Sequence, residues 1–434
     1  MKNQDKKEVL SRRVVVMKFG GTSVGNLERL QKVADRVVSR YHEGCLPVVV
    51  VSAMGSTTDE MIELASKVMH QPAHHRLDRV FTSVEEKNEP PMRELDLLLT
   101  SGEQVSAALM AMAIQARGVK SSAFLGFQAG ILTDEDHGRA KILGVSSGHV
   151  QQVVREGVLP VVAGFQGWTR DGQITTLGRG GSDTTAIALA VSLGLDECEI
   201  YTDVEGVFSA DPCIVPGARK ISVIDYGEML EMAGMGAKVL QARAVEFARR
   251  YNICVHVRSS FNREEGTVVK NLEGMERPIV AGVVSSADQV RVTLTQVPDR
   301  PGIAWQVFAA LADAGIPVET IVQNTAITDT TDISFIMHNE YLVESIPLIQ
   351  RVSKGIGAAN VVYDTEVAKI SIIGGGMKGR AGVASKMFGV LAERGINISM
   401  ILTSETRISC VIDRKNLDEA VRAVHDKFGL GEKQ

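Results

Sequence analysis

Three glycine-containing segments carry the residue types that phosphate chemistry uses, and each follows a predicted strand. They are Lys18–Ser23, Ser52–Gly55 and Gly178–Asp183. Glycines at strand ends let backbone N–H groups approach phosphate oxygens, and the N-terminus of a following helix favours an anion. Gly-rich turns alone are common. Because Lys18 accompanies the first segment, and Arg179 and Asp183 the third, the pattern indicates an enzyme that handles phosphate.

The familiar phosphate-binding motifs are missing from the sequence. There is no Gly-Lys-Ser/Thr of a P-loop, no His-Arg-Asp or Asp-Phe-Gly of a protein kinase, and no dinucleotide-binding fingerprint in the first turn. Phosphoryl transfer needs mainly positioning and charge neutralisation, and Lys18 suits a point charge on the phosphates. A carboxylate acceptor is already ionised at neutral pH, so it would need no general base.

The elements that must position these residues alternate between strands and helices from Val14 to about Val269. Asn26 is predicted to cap the first helix, and Glu103–Arg117 is predicted to form a buried helix. The polar segment His70–Pro91 is predicted to form a surface loop or a helical excursion. This alternation predicts an α/β fold, an αβα sandwich with a mainly parallel central sheet. The strands predicted are Val14–Lys18, Pro47–Ala53, Val158–Phe165, Glu199–Asp203 and Ile253–Arg258.

After about Lys270 the sequence contains an internal repeat. Placing Gly302 on Gly382 aligns further apolar and small residues at a constant offset. Each copy reads as a strand (Val292–Thr295; Ile370–Ile373), a glycine turn, a helix, Gly-Ile and a second strand, which is the opening of a ferredoxin-like βαββαβ unit. Two such small units are expected to pack together and to form interfaces where a small ligand can bind.

Composition limits the class of protein. The 434 residues are enough for two or three domains, and a net charge of -5 argues against a general nucleic-acid binder. Five dispersed cysteines without a CxxC pair predict reduced thiols. The polar stretch Met1–Arg13 lacks the apolar core of a secretion signal, and no apolar run was expected to reach the ~18 residues of a membrane span. A cytoplasmic protein without a membrane partner is predicted.

Val16–Val24 resembles the opening motif of the aspartokinases, which belong to the amino-acid kinase superfamily. The resemblance covers nearly the whole chain after residue 13, and the C-terminal repeat is similar to the paired ACT domains of that family. It implies a catalytic domain over 14–270 and ACT domains over 279–350 and 366–430, with the chain after 430 available to complete the first. The further motifs, in family order, are Val50–Gly55, Thr58–Glu60, Thr100–Glu103, Gly164–Gly167, Thr176–Thr185 and Tyr201–Phe208.

The resemblance implies conversion of ATP and L-aspartate to ADP and 4-phospho-L-aspartate, the first step toward lysine, threonine and methionine. Lys18 would neutralise the transferring phosphoryl group and Asp183 would hold the site's lysines. Arg179 would grip the α-carboxylate as a planar bidentate partner, and Glu103 would pair with the α-ammonium. The implied substrate-binding residues are Thr58, Asp59, Glu60, Glu103, Arg179, Gly180, Gly181 and Ser182.

The same resemblance implies a nucleotide site, with Mg²⁺ carried on the ATP phosphates and no metal held by the protein alone. One departure concerns Cys213, which stands where the family usually has an arginine that reaches the phosphates; Arg219 or Lys220 could substitute. A second is Ala381, where the turn of the second repeat usually has proline. The implied nucleotide-binding residues are Lys18, Phe19, Gly20, Gly21, Ser52, Thr202, Asp203, Phe208, Asp211 and Lys238.

The resemblance also implies feedback inhibition by lysine, threonine or both. ACT units of the family pair across subunits, so a homodimer is expected, and a separate shorter regulatory subunit made of the ACT pair is a further possibility. The implied effector-binding residues are Asp299, Pro301, Gly302, Ile303, Gln323 and Asn324.

Three alternatives remain open at this point. Glu103 and Asp183 could be first-turn helix carboxylates that only complement the dipole, and Gln323 and Asn324 could only satisfy buried backbone. Another amino-acid kinase, such as a glutamate 5-kinase or an acetylglutamate kinase, would share the Gly-rich turns but lack the paired tail. A non-catalytic amino-acid sensor would have no need of Lys18.

Overall fold

The computed structural model describes residues 12–69, 90–236, 239–323 and 329–431. These residues form two compact units. The first comprises Met1–Val207, Lys220–Ala233 and Lys238–Glu273, as far as they are described, and the second comprises the rest. Most of the segment predicted as a surface excursion, residues 70–89, lies outside the described residues.

Helices and strands are numbered here in chain order. The helices are α1 Leu27–His42, α2 Thr57–Met69, α3 Met92–Gln115, α4 Gly148–Arg155, α5 Gly181–Ser192, α6 Tyr226–Gly234, α7 Ala242–Tyr251, α8 Ile303–Asp313, α9 Leu342–Ile356, α10 Val383–Glu393 and α11 Leu417–Lys427. The strands are β1 Arg13–Phe19, β2 Cys45–Val51, β3 Ser121–Phe124, β4 Ile131–Thr133, β5 Ile142–Val145, β6 Leu159–Ala163, β7 Gln166–Trp168, β8 Ile174–Thr176, β9 Glu197–Thr202, β10 Val223–Asp225, β11 Cys254–Ser259, β12 Thr267–Lys270, β13 Gly282–Pro298, β14 Thr320–Gln323, β15 Thr330–His338, β16 Asn360–Ile373, β17 Met400–Thr403 and β18 Arg407–Asp413.

The first unit is built on an eight-stranded sheet in the order β10-β12-β11-β9-β1-β2-β6-β3. All neighbouring strands pair in parallel except β11 and β12, so the predicted αβα sandwich with a mainly parallel central sheet is confirmed. Every residue of β2 is buried, as expected for a strand covered on both faces. Strand β1 lies between β9 and β2, which brings the carboxyl ends of these three strands to one edge.

Local sequence explains how the first helix begins. The Oδ1 atom of Asn26 accepts a hydrogen bond of 2.9 Å from the backbone N–H of Arg29, which confirms the predicted cap. Leu30, Val33 and Val37 repeat at helical spacing and are buried. A small four-stranded sheet in the order β5-β4-β7-β8 was not predicted, because its strands of three or four residues are too short to show a pattern.

Helix α3 corrects one expectation from the sequence. Its 24 residues are long and apolar enough to cross a membrane by length and composition, although no such run was expected. More than half of its most apolar window is buried, and the helix packs against β3 and β6. Because it also buries two carboxylates, Asp96 and Glu103, α3 is a core helix of the first unit.

The second unit contains a six-stranded antiparallel sheet in the order β14-β15-β13-β16-β18-β17. The long strands β13 and β16 run through both repeats. The second half of β13 pairs with β15 and with residues 360–364, and its first half, 282–286, pairs with residues 369–373. Residues 360–364 therefore complete the sheet of the first repeat, and residues 282–286 complete the sheet of the second. The suggestion that the chain after residue 430 completes the first repeat is thus replaced by this exchange of strands.

The duplication predicted from the sequence is visible in the turns. Gly302 and Gly382 adopt φ angles of 93° and 89° and precede α8 and α10, so each repeat uses a left-handed glycine at the same point. Two ferredoxin-like ACT-type repeats are thus confirmed, whereas the limits 14–270, 279–350 and 366–430 stay predictions. Residues 208–219 also belong to this unit, where Ala210 and Val215 join the core of the second repeat.

Candidate active site

A buried ion pair lies at the carboxyl edge of the central sheet. Lys18 is the penultimate residue of β1, and Asp183 lies in the first turn of α5. Their side chains meet at 2.5 Å between Nζ and Oδ1, and the two residues are only 9% and 6% exposed. An acidic residue in a first helical turn is favoured by the helix dipole, and here it also fixes the lysine ammonium in place. The positive charge is therefore held rather than free to move in solvent.

The glycine turns after β1 and β2 pack closely around this pair. A Cβ atom on Gly21 would lie 2.8 Å from the carbonyl oxygen of Ala53, so only glycine fits there. The N–H of Gly55 donates to the carbonyl of Gly21 at 3.1 Å, and the N–H of Ser52 donates to that of Phe19 at 3.1 Å. The two turns thus hold each other at the strand ends, where a phosphate can approach main-chain groups.

Glu103 is attached to the same turn from helix α3. Its Oε1 atom accepts the N–H of Ala53 at 3.0 Å, and a Cβ on the neighbouring Gly102 would lie 2.9 Å from the Ala53 side chain. Burial raises the pKa of Glu103 to about 7, although the hydrogen bond from Ala53 opposes this. Its Oε2 atom is buried without a hydrogen-bond partner among the described residues. This orphan acceptor is what an ammonium group would satisfy.

The segment Arg179–Ser182 begins helix α5 beside the ion pair. Gly180 is the N-cap in the left-handed region at φ 71°, and a Cβ there would collide with the Gln241 side chain. Gly181 is equally confined, since its Cβ would lie 2.8 Å from the Phe165 ring. Ser182 is buried, whereas Arg179 is exposed at the turn. The predicted substrate arginine therefore extends from a rigid turn adjoining Asp183.

Thr58, Asp59 and Glu60 lie in the first turns of α2. Thr58 is half-buried, and the two acids are exposed. The Glu60 carboxylate accepts a hydrogen bond of 2.5 Å from the Ser56 hydroxyl. Helix α2 buries none of its residues completely, so these three side chains are less constrained than Glu103.

The predicted nucleotide residues divide into several groups. Gly20 donates to the carbonyl of Tyr201, and Thr202 donates to Asp203 at 3.1 Å, so both lie where β1 and β9 end. The Phe19 ring is fully buried and stacks on Tyr201 at 4.7 Å, so a nucleotide cannot contact its side chain. The nucleotide contact predicted for Phe19 could therefore involve only its main-chain groups, and it stays a prediction.

The remaining nucleotide residues are not assembled within the first unit. Phe208 and Asp211 belong to the second unit, and Lys238 lies outside the described residues. Asp211 accepts the N–H of Cys213 at 2.8 Å, and both are exposed. Lys220 was suggested as a substitute for the arginine that Cys213 replaces, and its ammonium nitrogen lies 3.8 Å from a carboxylate oxygen of Glu264.

The predicted effector residues lie in the second unit. Asp299, Pro301 and Gly302 are exposed, and Ile303 is buried at the start of α8. Gln323 is exposed at the end of β14, an edge strand, and Asn324 lies outside the described residues. An effector contact with these residues stays a prediction.

A second buried carboxylate on α3, Asp96, was not predicted from the sequence. Asp96 is fully buried and accepts hydrogen bonds from Thr176 Oγ1 at 2.5 Å and from the backbone N–H of Gly138 at 3.1 Å, and it contacts His137 Nδ1 at 2.7 Å. It thereby ties α3, which bears Glu103, to the loop before β5 and to the end of β8. The signal was present, because two acids seven residues apart share one face of an otherwise apolar helix.

Arg243 on α7 supports the same region from another side. Its guanidinium donates to the carbonyls of Leu177 and Ala140, just before the turn that bears Arg179. Burial lowers the pKa of Arg243. No motif in the sequence pointed to this residue, because its contacts are with backbone atoms distant along the chain.

The fold and site define an amino acid kinase with a paired ACT tail. The model of the amino acid kinase family matches residues 13–259, and models of the ACT domain match residues 291–340 and 370–428. Aspartokinases of Pseudomonas aeruginosa and Mycobacterium tuberculosis are 45% and 46% identical to this chain. The alignments cover 96% of this chain, and 98% and 96% of those proteins, respectively.

Solved structures agree with the sequence matches. The E. coli aspartokinase III complex with aspartate and ADP superimposes with a TM-score of 0.77 at 26% identity, covering 96% of this chain and 99% of that one. The lysine and aspartate complex of the same enzyme gives a TM-score of 0.74. The chain therefore belongs to the aspartokinase family, and its enzymatic activity is that of an aspartate kinase.

Proposed function

We propose that this chain transfers the γ-phosphoryl group of ATP to the side-chain carboxylate of L-aspartate, giving ADP and 4-phospho-L-aspartate. The observation that carries this proposal is the buried Lys18–Asp183 pair beside the turn that anchors Glu103. One end of that arrangement offers a fixed positive charge for phosphate oxygens, and the other offers an acceptor for an ammonium group. A relative with aspartate and ADP bound supports the same choice of substrates.

The chain's own residues account for the transfer by positioning and charge. A carboxylate oxygen of aspartate attacks the γ-phosphorus, and the bond from that phosphorus to the bridging oxygen breaks as ADP leaves. Lys18 neutralises the charge that spreads over the transferring group, while Asp183 keeps its ammonium in position. The acceptor is ionised before it binds, so no residue needs to remove a proton.

Substrate recognition is assigned to the two groups flanking this pair. Glu103, ionised by the approach of the α-ammonium, would form an ion pair with it. Arg179 would bind the α-carboxylate, with Thr58 and Ser182 donating hydrogen bonds. Asp59, Glu60, Gly180 and Gly181 would shape the pocket around them. Mg²⁺ would remain on the phosphate oxygens of ATP.

The finer expectations belong to the same proposal. The reaction would be the first step toward lysine, threonine and methionine in the cytoplasm, and the ACT pair would bind the inhibitory amino acid. A relative in complex with lysine supports lysine as one effector. A homodimer, with or without a shorter regulatory subunit, is the assembly proposed.

Hydroxylamine trapping tests the proposed chemistry. With ATP and L-aspartate, the acyl phosphate should be captured as aspartate 4-hydroxamate in proportion to the ADP formed. L-asparagine is the matched control, because an amide replaces the acceptor carboxylate and should yield no hydroxamate. Formation of ADP without hydroxamate from aspartate would refute acyl-phosphate synthesis.

A further inference from the structure

A second charged cavity lies in the first unit, outside the residues assigned to catalysis. It has a volume of about 410 Å³ and runs along α1, and five of its eleven lining residues are lysine or arginine. Cavities of this size hold small molecules. The five cationic residues are Lys32, Arg36, Arg40, Arg258 and Arg263. We refer to this cavity as the α1 cleft.

The α1 cleft is on the sheet face opposite to the Lys18–Asp183 pair. Lys18 and Phe19 are consecutive in β1, so their side chains point to opposite faces. The Phe19 ring stacks on Tyr201, and the Arg36 guanidinium lies 5.1 Å from the centre of the Tyr201 ring on that side. Tyr201 therefore belongs to the cleft and separates it from the catalytic lysine.

The helix supplies one row of cations to the cleft. Lys32, Arg36 and Arg40 are four residues apart, so they lie one above another on α1. The strand β11 and the loop after it supply Arg258 and Arg263 from the facing wall. Positive groups thus converge from two elements that are distant along the chain.

The acidic residues near the cleft already form ion pairs with particular arginines. The buried Glu199 binds Arg40 at 2.7 Å and lies 3.9 Å from Arg258. Asp35 is paired with Arg117 at 2.6 Å instead. Glu43, the other acid of the lining, binds Arg40 at 3.2 Å.

Arg36 and Arg263 are the two cleft arginines whose side chains are least engaged by acids, although Arg263 is one of the charges that lower the pKa of Glu43. Within the part of the chain that the structure describes, neither forms an ion pair, and Arg36 donates to the backbone carbonyl of Asn262. Like charges held close together repel, and a multiply charged anion would relieve that repulsion. Arginine forks suit phosphate oxygens in particular, because they donate two parallel hydrogen bonds. Phe261 is half exposed at the rim and offers an apolar surface to the rest of a ligand.

We propose that the α1 cleft binds a phosphate-bearing small molecule at a site separate from the catalytic centre. The site is independent of the proposed kinase reaction. A ligand bound there would stabilise the folded protein by RT ln(1 + L/Kd), where L is the free ligand concentration.

Calorimetric titration of the full chain with inorganic pyrophosphate tests this site. Pyrophosphate can also enter the nucleotide site, so wild type is compared with Lys18→Met and with the double variant Arg36→Gln/Arg263→Gln. We expect Lys18→Met to keep a pyrophosphate site that the double variant weakens at least tenfold. Arg155→Gln, an exposed arginine at the end of α4, is the control and should bind as wild type does.

Two further measurements make the result decisive. Lys32→Gln, a milder change at the exposed rim, should weaken the same site about threefold or more without lowering the melting temperature, which guards against misfolding of the double variant. Citrate should bind at least tenfold more weakly than pyrophosphate. Unchanged binding in the double variant, absence of binding in wild type, or equal binding of citrate would overturn the proposal.

Discussion

At the scale of single residues, the Lys18–Asp183 pair would serve both the proposed catalysis and the stability of the fold. Both charges are nearly excluded from water, so each depends on the other. Removing one partner of a buried pair leaves an uncompensated charge and costs about 3–5 kcal/mol, whereas replacing both can be nearly neutral. A loss of activity in a single variant therefore has two causes, which must be separated.

A pair of variants separates them. Lys18→Met should lower the rate of ADP formation at least a hundredfold and also lower the melting temperature, because Asp183 is left buried without its partner. Lys18→Met/Asp183→Asn should regain much of the melting temperature but none of the activity. If the double variant regained activity, Lys18 would not be the group that neutralises the phosphoryl charge.

Glu103 makes stability depend on pH in a predictable direction. Its pKa is raised from 4.5 to about 7 in the folded protein, so the protonated form is favoured by folding. The stability it contributes is complete below pH 4.5 and is lost as pH rises to about 7. The shift corresponds to a loss of about 3 kcal/mol at most.

Urea unfolding of Glu103→Gln at several pH values checks this effect. Without substrates, the variant should gain in free energy of unfolding relative to wild type between pH 4.5 and 7, because glutamine cannot ionise. Glu94→Gln, an exposed carboxylate on the same helix, should show no such trend. A constant difference between Glu103→Gln and wild type across that window would contradict the assigned pKa.

At the scale of elements, the proposed substrate site depends on helix α3 and on the contacts of Asp96. This carboxylate connects α3 to His137 and Thr176, and Thr176 precedes the Arg179 turn by three residues. Asp96→Asn substitutes a donor for one acceptor oxygen, so at least one of these contacts must be lost. The relative placement of Glu103 and Arg179 should then loosen.

Steady-state kinetics of Asp96→Asn measure this loosening. The KM for aspartate should rise at least tenfold, while the KM for ATP should change less than twofold, because only the amino-acid contacts depend on the α3 connection. Glu94→Gln provides the comparison on an exposed face. Equal increases in both KM values would mean that Asp96 supports the fold in general and not the substrate site.

Much of this element structure could be predicted from sequence. The continuous apolar run Pro47–Ala53, which the structure places in the strand Cys45–Val51, helped to predict the sandwich, and the Gly302/Gly382 repeat predicted the tail. Strand exchange between the repeats could not be predicted, because it depends on β13 and β16 pairing with each other through both repeats, while β15 and β18 pair with only part of each strand. The same holds for Asp96, since its partners are brought together only by tertiary packing.

The candidate site was predictable to the extent that its residues lie in contiguous motifs. The motifs pointed to Lys18, Glu103 and Asp183, and the structure shows that all three are buried and that Lys18 and Asp183 are paired, while their roles stay predictions. The Phe19 ring is buried against Tyr201, because adjacent residues of a strand face opposite ways, so the nucleotide contact predicted for Phe19 could involve only its main chain. Arg243 could not be predicted, because its guanidinium donates to backbone carbonyls and such contacts do not require a particular sequence motif.

At the scale of the whole molecule, the proposal links the ACT tail to control of activity. Lysine or threonine, alone or together, should lower the rate of ADP formation or shift the melting temperature. Gln323→Ala should raise the concentration needed for half-inhibition severalfold, measured against its own uninhibited rate. Thr403→Ala changes the matching position of the second repeat and is the control. Indifference of the wild-type protein to both amino acids would remove the feedback claim.

The central claim is specificity for aspartate, and the ratio of kcat/KM for L-aspartate to that for L-glutamate tests it most directly. One additional methylene in a fitted pocket is worth roughly 10–200-fold, and here it would also displace the acceptor carboxylate from the phosphoryl group. We therefore predict that aspartate is preferred by at least about a hundredfold. Equal values, or a preference for glutamate, would contradict the account.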